Sequence, residues 1–255
     1  MPGVRTLMRR AMPVLIGFLI LGLSHPVWAQ GPTLPQVNIN PGHGSSPSQT
    51  IGILALLTLL SFLPAILLTM TAFTRVITVL SFTRSALGLQ QTPPNQVLIG
   101  LALFLTFFIM SPTLSTINHQ ALHPYLTGHL SLTAAGEKAL GPLRTFMFNQ
   151  TRSSDIALFL KLDHVHPPKG LAGVPTMALI PAFIISELKT AFEIGIYIYI
   201  PFVVIDMVVA TILMSMGMMM VPPTLISLPL KLLLFVLANG WSLIVQSLVM
   251  SFHGG

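Results

Sequence analysis

The chain contains no cysteine, which excludes a disulfide framework and any thiolate metal site. Charged residues are also scarce, at 7% of the chain, whereas soluble domains usually carry about 25%. Twelve Lys and Arg residues stand against six Asp and Glu residues, and they are spread along the sequence without the dense basic face that nucleic-acid binding needs. We therefore interpret the positive excess as a topological signal and expect no nucleic acid among the partners.

Recognisable catalytic and metal-binding patterns are missing as well. His119 and His123 have the i, i+4 spacing that can bind zinc on a helix, but no carboxylate completes a motif and Pro124 follows directly. Glu187 and Glu193 lie on different helix faces and have no nucleophile or metal motif beside them. We predict that the protein is not an enzyme and has neither a metal site nor a cofactor.

Apolar residues are what the chain has in abundance. They make up 53% of the sequence, and the mean hydropathy is +0.83. Several apolar runs are about 20 residues long, which is enough for a helix to cross a bilayer. The composition therefore predicts an all-α membrane protein.

The N-terminus has the three parts of a secretory signal peptide. Basic residues up to Arg10 precede a short apolar run at Met12–Leu23, and Val27-Trp28-Ala29 places small residues at the −3 and −1 positions. We predict that residues 1–29 are removed by cleavage after Ala29, which makes Gln30 the mature N-terminus. The alternative is an uncleaved anchor helix, for which the run is short.

The next two segments are predicted to be a linker and a hairpin. Residues 30–49 are rich in Pro, Gly and Ser, which is typical of a disordered linker. Residues 50–111 contain two apolar stretches, Thr50–Thr71 and Asn95–Ser111. The only charges between them are two arginines, which favour the cytoplasmic side. We predict a helical hairpin whose connection faces the cytoplasm.

Residues 112–175 are the part that resembles a soluble domain, and the alternation of spans places them on the outer, periplasmic side. Short amphipathic helices are predicted at Thr133–Phe148 and Ser153–Leu162. Phe146 and Phe159 are large apolar anchors on these helices. A segment of about 60 residues has a marginal core, so we expect contact with a partner subunit.

Residues 176–255 form a second apolar region. As one helix, Pro181–Met216 would be about 50 Å long, which exceeds a bilayer. We therefore expect Pro201 to produce a kink or a re-entrant hairpin. This stretch contains four charged residues, Glu187, Lys189, Glu193 and Asp206. Charged side chains in such apolar sequence normally face a protein interior, a partner or water.

Lys231 stands alone in the last apolar stretch and needs a counter-ion. The candidates are Glu187, Glu193 and Asp206, in the same chain or in a neighbouring copy. The alternative is that the Lys231 side chain extends to the membrane interface.

Five methionines lie within Met214–Met220, followed by Pro222 and Pro223. We expect Gly217 to loosen the helix and the prolines to end it. Met218, Met219 and Met220 then lie at the tip of a turn between two apolar helices. Methionine is unbranched and polarizable, so these side chains could form a deformable, uncharged plug. The alternative is that they only fill a core or face lipid.

Two long stretches, Arg75–Pro112 and Pro181–Trp241, closely resemble the FliP family of flagellar biosynthesis proteins. That family is similar to the SctR proteins of virulence type III secretion, and the cleavable signal peptide points to the flagellar branch. The chain departs from the family pattern at Asn239, where an acidic residue is expected before Gly-Trp.

The resemblance implies a core pore-forming subunit of the flagellar type III export gate, in the basal body at the bacterial inner membrane. It implies a helical hetero-oligomer in which about five copies assemble with FliQ and FliR. Other implied partners are FlhA- and FlhB-type export components and the unfolded flagellar proteins that are exported. In such an assembly, packing against partners can override the membrane spans that hydropathy suggests.

The resemblance also implies roles for individual residues. The gate constriction is assigned to Met218, Met219 and Met220. Glu187 and Lys231 match an inter-subunit salt bridge, and Phe146 and Phe159 match aromatic positions used in ring assembly.

Three alternatives stay open from the sequence. The chain could belong to a virulence-type secretion apparatus. A solute or ion transporter would use intramembrane charges for coupling, but the two halves show no convincing repeat. An intramembrane enzyme would need a nucleophile and base, or a metal site, and none is visible.

Overall fold

The computed structural model describes residues 57–58, 61–62, 64–164, 170, 173–218 and 220–253. The predicted signal peptide, its cleavage site at Ala29 and Gln30, the linker and Met219 lie outside these residues. In the described part, every regular element is a helix. The predicted all-α membrane fold is therefore confirmed, and it agrees with two helical segments that are long and apolar enough to cross a membrane.

The helices differ widely in length, from four residues to 40. In chain order they are α1 (Pro64–Met70), α2 (Phe73–Ala86), α3 (Asn95–Ile117), a π-helical turn (Asn118–Leu122), α4 (His123–Leu126), α5 (Leu132–Gln150), α6 (Ser153–Leu162), α7 (Thr176–Ser215), α8 (Pro223–Leu237) and α9 (Gly240–His253).

The first region is a bent helix followed by a long one. Between α1 and α2 the chain turns by 75°. Helix α2 buries an apolar face at helical spacing, with Val76, Val79 and Leu80 almost inaccessible. Helix α3 continues through the π-helical turn into α4, so Asn95–Leu126 is one 32-residue segment. It therefore runs past the boundary that the sequence predicted at residue 111.

Pro112 does not end this segment because a single proline removes only one backbone hydrogen bond. The residues before it are mostly apolar, and residues 113–126 stay helical although half of them carry polar side chains. The boundary at residue 111 was predicted from the change to a more polar composition, and such a change does not by itself end a helix.

Helices α5 and α6 confirm the two amphipathic helices that the sequence predicted. The Ser131 side chain caps α5 by accepting a hydrogen bond from the Ala134 amide. The pair packs on the first half of α7 through a cluster of buried apolar residues: Met147, Ile156, Leu160, Val174, Ala178, Leu179, Ala182 and Phe183. This contact supplies the core that the segment is too small to build alone.

Helix α7 is a single helix of 40 residues, about 60 Å long. Pro201 lies inside it, so of the two outcomes that we expected at this proline, a kink or a re-entrant hairpin, the hairpin is wrong. The reason is again that one missing backbone hydrogen bond is outweighed by continuous packing: Ala191, Phe202 and Val209 are buried on either side of the proline.

Helices α8 and α9 meet at an angle of 64°. Asn239 makes this bend with a φ of 51°, in the left-handed region that asparagine tolerates better than most residues. Its side-chain oxygen accepts a hydrogen bond from the Ser242 hydroxyl at 3.0 Å, at the start of α9. Asparagine therefore suits the local backbone here, although an acidic residue was expected.

Candidate functional site

The methionine turn, residues 214–220, begins where α7 ends. Gly217 has a φ of 76°; its amide donates to the Met214 carbonyl at 3.1 Å, and the Met218 amide donates to the Leu213 carbonyl at 3.0 Å. These two bonds form a Schellman motif, which needs a left-handed residue at this position. Gly217 therefore ends the helix before the prolines are reached, whereas we expected the prolines to end it.

The prolines begin the next helix instead. Pro223 is the first residue of α8, a position where its missing N–H costs no hydrogen bond. The turn is consequently short and bounded on both sides by backbone chemistry. It presents Met218 and Met220 at the tip, with 42% and 97% of their surface exposed. A large apolar side chain that is almost fully exposed has not been used to fill this chain's own core.

A second feature is a buried ionic cluster around Arg75, which we call the Arg75 cluster: Arg75, Gln150, Glu187, Ser251 and Phe252. The Arg75 guanidinium donates two hydrogen bonds to the Glu187 carboxylate, from Nε at 2.9 Å and from Nη2 at 2.5 Å. Arg75 is 2% exposed and Glu187 is not exposed at all. A bidentate pair of this kind is directional as well as strong.

The remaining donors of Arg75 are also used. Nη1 donates to the Ser251 carbonyl and hydroxyl at 3.0 and 3.1 Å, and Nη2 donates to Gln150 Oε1 at 3.1 Å. The Gln150 amide donates in turn to the Phe252 carbonyl, while the guanidinium lies 3.8 Å from the Phe252 ring centre. Four helices, α2, α5, α7 and α9, therefore meet at one satisfied cation.

Lys231 lies in a third feature, the Asp206 cluster, made of Asp206 on α7 with Ser227 and Lys231 on α8. Asp206 Oδ2 accepts a hydrogen bond from Lys231 Nζ at 2.6 Å, and Oδ1 accepts one from Ser227 Oγ at 2.6 Å. Asp206 was one of the three counter-ions that the sequence offered for Lys231. Lys231 is buried at 6% exposure, so its side chain does not extend to the surface as the alternative required.

The family resemblance implies an inter-subunit salt bridge between Glu187 and Lys231, but within this chain each has a different partner. Both oxygens of Glu187 accept hydrogen bonds from Arg75, and Lys231 donates to Asp206. Sequence reasoning overlooked Arg75 as a partner for Glu187, because it placed this arginine at a cytoplasmic connection. Pairing of Glu187 with Lys231 between copies stays a prediction, and it would require Glu187 to share or leave Arg75.

A fourth feature joins α6 to α7 and is called the Asp155 cluster: Arg152, Asp155, Ser186, Lys189 and Glu193. Asp155 is buried and accepts hydrogen bonds from Ser186 Oγ at 2.7 Å and from Lys189 Nζ. Burial opposes ionisation of this carboxyl. The hydrogen bonds from Lys189 and Ser186, with the charges of Lys189 and Arg152, outweigh burial and hold the pKa of Asp155 below its ordinary value.

Arg152 completes the Asp155 cluster at its exposed edge. Its guanidinium donates to Glu193 Oε2 at 2.7 Å, and this hydrogen bond raises the pKa of Arg152 although partial burial works against it. The Arg152 amide donates to Ser186 Oγ at 3.0 Å. The start of α6 is therefore tied to α7 through both backbone and side chain.

Phe146 and Phe159, which we predicted to act in ring assembly, are both half-buried within the chain. Phe146 packs against both core clusters; its ring is 5.9 Å from Phe183 and 6.2 Å from Phe252. Of these two clusters, Phe159 packs only against the one formed by α5, α6 and α7. Phe146 therefore also supports the chain's own fold, while an assembly role for either residue stays a prediction.

Residues with metal-ligating side chains do not gather in groups of three or more in the described part of the chain. His119 lies in the π-helical turn and His123 starts α4, both exposed.

Sequence reasoning missed the roles of Arg75, Gln150 and Ser251. Arg75 and Gln150 are separated by 75 positions, and Ser251 lies 176 positions beyond Arg75. The one signal in the sequence was that Arg75 lies at helical spacing among apolar residues. The structure shows that these residues are buried on α2.

Comparisons with known proteins agree on one family. Residues 56–248 match the FliP family model. Over 205 residues the chain is 57% identical to the flagellar biosynthetic protein FliP of Bacillus subtilis (strain 168), covering 80% of this chain and 93% of that protein. It is 51% identical over 238 residues to the protein of the same name from Pectobacterium carotovorum subsp. carotovorum, covering 93% and 91%. The Aquifex aeolicus (strain VF5) protein of that name is 46% identical over 251 residues, covering 96% and 100%.

Proposed function

This chain belongs to the FliP family, and we propose that it is the core pore-forming subunit of the flagellar protein export gate. A role in flagellar biosynthesis and protein export follows from the family itself, as does the conclusion that the protein is not an enzyme. The proposal goes further, because it assigns to this chain the constriction through which unfolded flagellar proteins pass.

The observation that carries the proposal is the exposed methionine turn. Met218 and Met220 project from the end of a hairpin of two apolar helices, and neither contributes to the buried core. If several copies surround an axis, their thioethers form a narrow ring without charge or strong hydrogen-bonding groups. Such a ring opposes the passage of hydrated ions, yet it deforms around a polypeptide because methionine has three flexible torsions.

The surrounding helices support a membrane location. Asn95–Leu126 and Thr176–Ser215 are long and apolar enough to cross a bilayer. We place the protein in the bacterial inner membrane, at the base of the flagellum, with α5 and α6 on the periplasmic side. Cleavage of a signal peptide after Ala29 is part of the same proposal.

The partners we propose are about four further copies of this chain together with FliQ and FliR subunits. FlhA- and FlhB-type components would act beside this complex. Many apolar side chains on α3, α7 and α8 are exposed in the single chain, among them Phe108, Tyr197 and Leu237. Contact with other subunits or with lipid would cover them. The mass of the intact complex in detergent tests the stoichiometry.

A second candidate function is the same gate in a virulence-type secretion apparatus. The three relatives compared above all carry a flagellar name, which favours the flagellar gate. Expressing the chain in a flagellated bacterium that lacks its own FliP tests this choice: restored motility supports the flagellar assignment, and a stable complex without motility opposes it.

The gate itself is tested by replacing Met218, Met219 and Met220 together with alanine. We expect the complex to assemble, because the tip contributes little to helix packing, and we expect the ion conductance of the membrane to rise several-fold while export persists. Replacing the same residues with leucine keeps the apolar volume and serves as the matched control. Unchanged conductance in an assembled alanine variant would return these methionines to the role of apolar filler.

A further inference from the structure

The two arms of the methionine hairpin are joined by polar contacts at one level. Asp206 lies nine residues before the last residue of α7, and Lys231 lies eight residues after the first residue of α8. At 1.5 Å per residue both are about 12–14 Å from the turn. Because the two residues lie at equal distances from the turn, the Asp206–Lys231 hydrogen bond forms in one register of the α7–α8 hairpin. It is lost if either helix slides by one helical turn.

The contact is directional on both sides. Ser227 and Lys231 are four residues apart and share one face of α8, and each donates to a different oxygen of the Asp206 carboxylate at 2.6 Å. Both donors are buried, with 1% and 6% exposure. A carboxylate held by two donors from one helix face fixes rotation as well as sliding of α8 against α7.

The segments between this contact and the turn have little else to position them. On α7, Val209 and Leu213 are buried, whereas Met207, Val208 and Ile212 are exposed. On α8, Leu225 and Ile226 are exposed. Apolar contact is not directional, so it holds the arms together without selecting a register.

Helix α8 also has a weak point at the level of the contact. Pro229 lies inside α8, between Ser227 and Lys231. A proline within a helix removes one backbone hydrogen bond and promotes a kink. The two donors to Asp206 lie two residues before and two residues after that proline, so they hold the helix on both sides of it.

We propose that Asp206, Ser227 and Lys231 are positioning residues for the gate: they fix the register of the α7–α8 hairpin and thereby place the methionine turn at the constriction. The inference rests on the proposed gate function, but it concerns residues that do not touch the passing chain. If the cluster is weakened, the methionine turn should occupy a wider range of positions, although every methionine is still present.

The test uses the assembled complex and the absence of cysteine. Cysteines introduced at Ile212 and Leu225, which are exposed on the two arms, accept spin labels at unique sites when labelled chains are diluted with unlabelled ones. We expect one narrow distance distribution in the parent. The neutral pair Asp206→Asn with Lys231→Met, which leaves no unpaired buried charge, should broaden it and raise membrane conductance several-fold.

A matched control removes an exposed ion pair that joins the start of α6 to α7. Arg152→Gln with Glu193→Gln deletes one cation and one anion. Glu193 lies 22 residues before the last residue of α7, so the double variant should leave the distance distribution and the conductance unchanged. Ser227→Ala removes only one neutral donor. It should broaden the distribution less, and it takes the place of the neutral pair if that variant fails to assemble.

The outcomes separate the inference from the function it rests on. A narrow distribution in the neutral pair or in Ser227→Ala overturns the positioning role, whatever the conductance. The positioning role is also overturned if the methionine-to-alanine variant raises conductance while the cluster variant keeps the parent's conductance and a narrow distance distribution. In that case the gate assignment is still supported. A broadened distribution with leakage in the cluster variant supports both. If the assembled methionine variant does not leak, the gate itself is wrong, while the distance distribution still decides whether the cluster fixes the hairpin.

Discussion

Helix α7 carries two carboxylates that are both paired with a cation but differ in what surrounds them. Glu187 is completely enclosed, and its partner Arg75 has every donor used by side chains or carbonyls from three other helices. Asp206 is 36% exposed and is held by two donors from one neighbouring helix. The comparison shows that α7 is fixed in the core of the fold around Glu187, whereas around Asp206 it is held by side chains of one neighbouring helix.

The energetic reason lies in desolvation. A charge that is fully removed from water is costly unless its partner is present, and the attraction between the two is strong in the same low-dielectric surroundings. A half-exposed carboxylate keeps part of its hydration, so losing its partner costs less. The Arg75 cluster should therefore behave as part of the core, and the Asp206 cluster as a contact that sets geometry.

The largest expected effect comes from Glu187→Ala. It leaves Arg75 buried without a counter-ion, which typically destabilises a protein by about 3–5 kcal/mol. We expect a large loss of folded, membrane-extracted protein, measured by yield and by thermal unfolding in detergent. Glu193→Ala, which removes an exposed carboxylate from the same helix, is the control and should have little effect. A Glu187→Ala protein that accumulates and melts like the parent would contradict the core role.

Double-mutant cycles sharpen the comparison by asking which pairs are coupled. We expect coupling of at least about 1 kcal/mol for Arg75 with Glu187 and a smaller value for Lys231 with Asp206, read from the stability of the assembled complex. The cycle for Glu187 with Lys231 should lie within about 0.5 kcal/mol of zero if the pairs seen in the chain persist. Strong coupling in that last cycle would support the inter-subunit bridge that the sequence predicted.

Phe146→Ala and Phe159→Ala extend the comparison to two aromatic residues, one beside the Arg75 cluster and one in the apolar cluster of α5, α6 and α7. Phe146 packs against Phe252, which lies over Arg75, so its loss should lower stability by roughly 2 kcal/mol, less than the 3–5 typical of fully buried aromatics. Oligomer yield should fall with it. For Phe159 we expect oligomer yield to fall more than the melting temperature. Normal assembly of both variants, with a defect only in export, would show that neither residue acts in ring assembly.

The smallest effect should come from pH acting on Asp155, which lies outside the candidate membrane-spanning helices. Its pKa in the folded protein is below the ordinary value of 3.8, so its pairing stabilises the fold fully above that pH. The contribution is lost as the pH falls through the lowered pKa. We expect the melting temperature of the parent to fall more steeply below about pH 4 than that of Asp155→Asn. Parallel curves would mean that this carboxyl titrates alike in the folded and unfolded chains.

Local signals predicted the helices well where composition and period agreed. The two amphipathic helices α5 and α6 are present because apolar residues recur at helical spacing. The methionine turn lies between two helices because glycine and proline have unambiguous backbone preferences. The re-entrant hairpin expected as one outcome at Pro201 is absent, since the packing of the surrounding apolar sequence outweighs one lost hydrogen bond.

By itself, the sequence determined that this is a helical membrane protein of the FliP family, and which residues carry charge in apolar surroundings. Only the tertiary structure decided which charges meet. Arg75 reaches Glu187 across 112 positions, and Lys231 pairs with Asp206 although Glu187 and Glu193 were equal candidates on paper. The physical reason is that desolvation demands a partner for every buried charge, whereas the identity of that partner depends on which helix faces pack together.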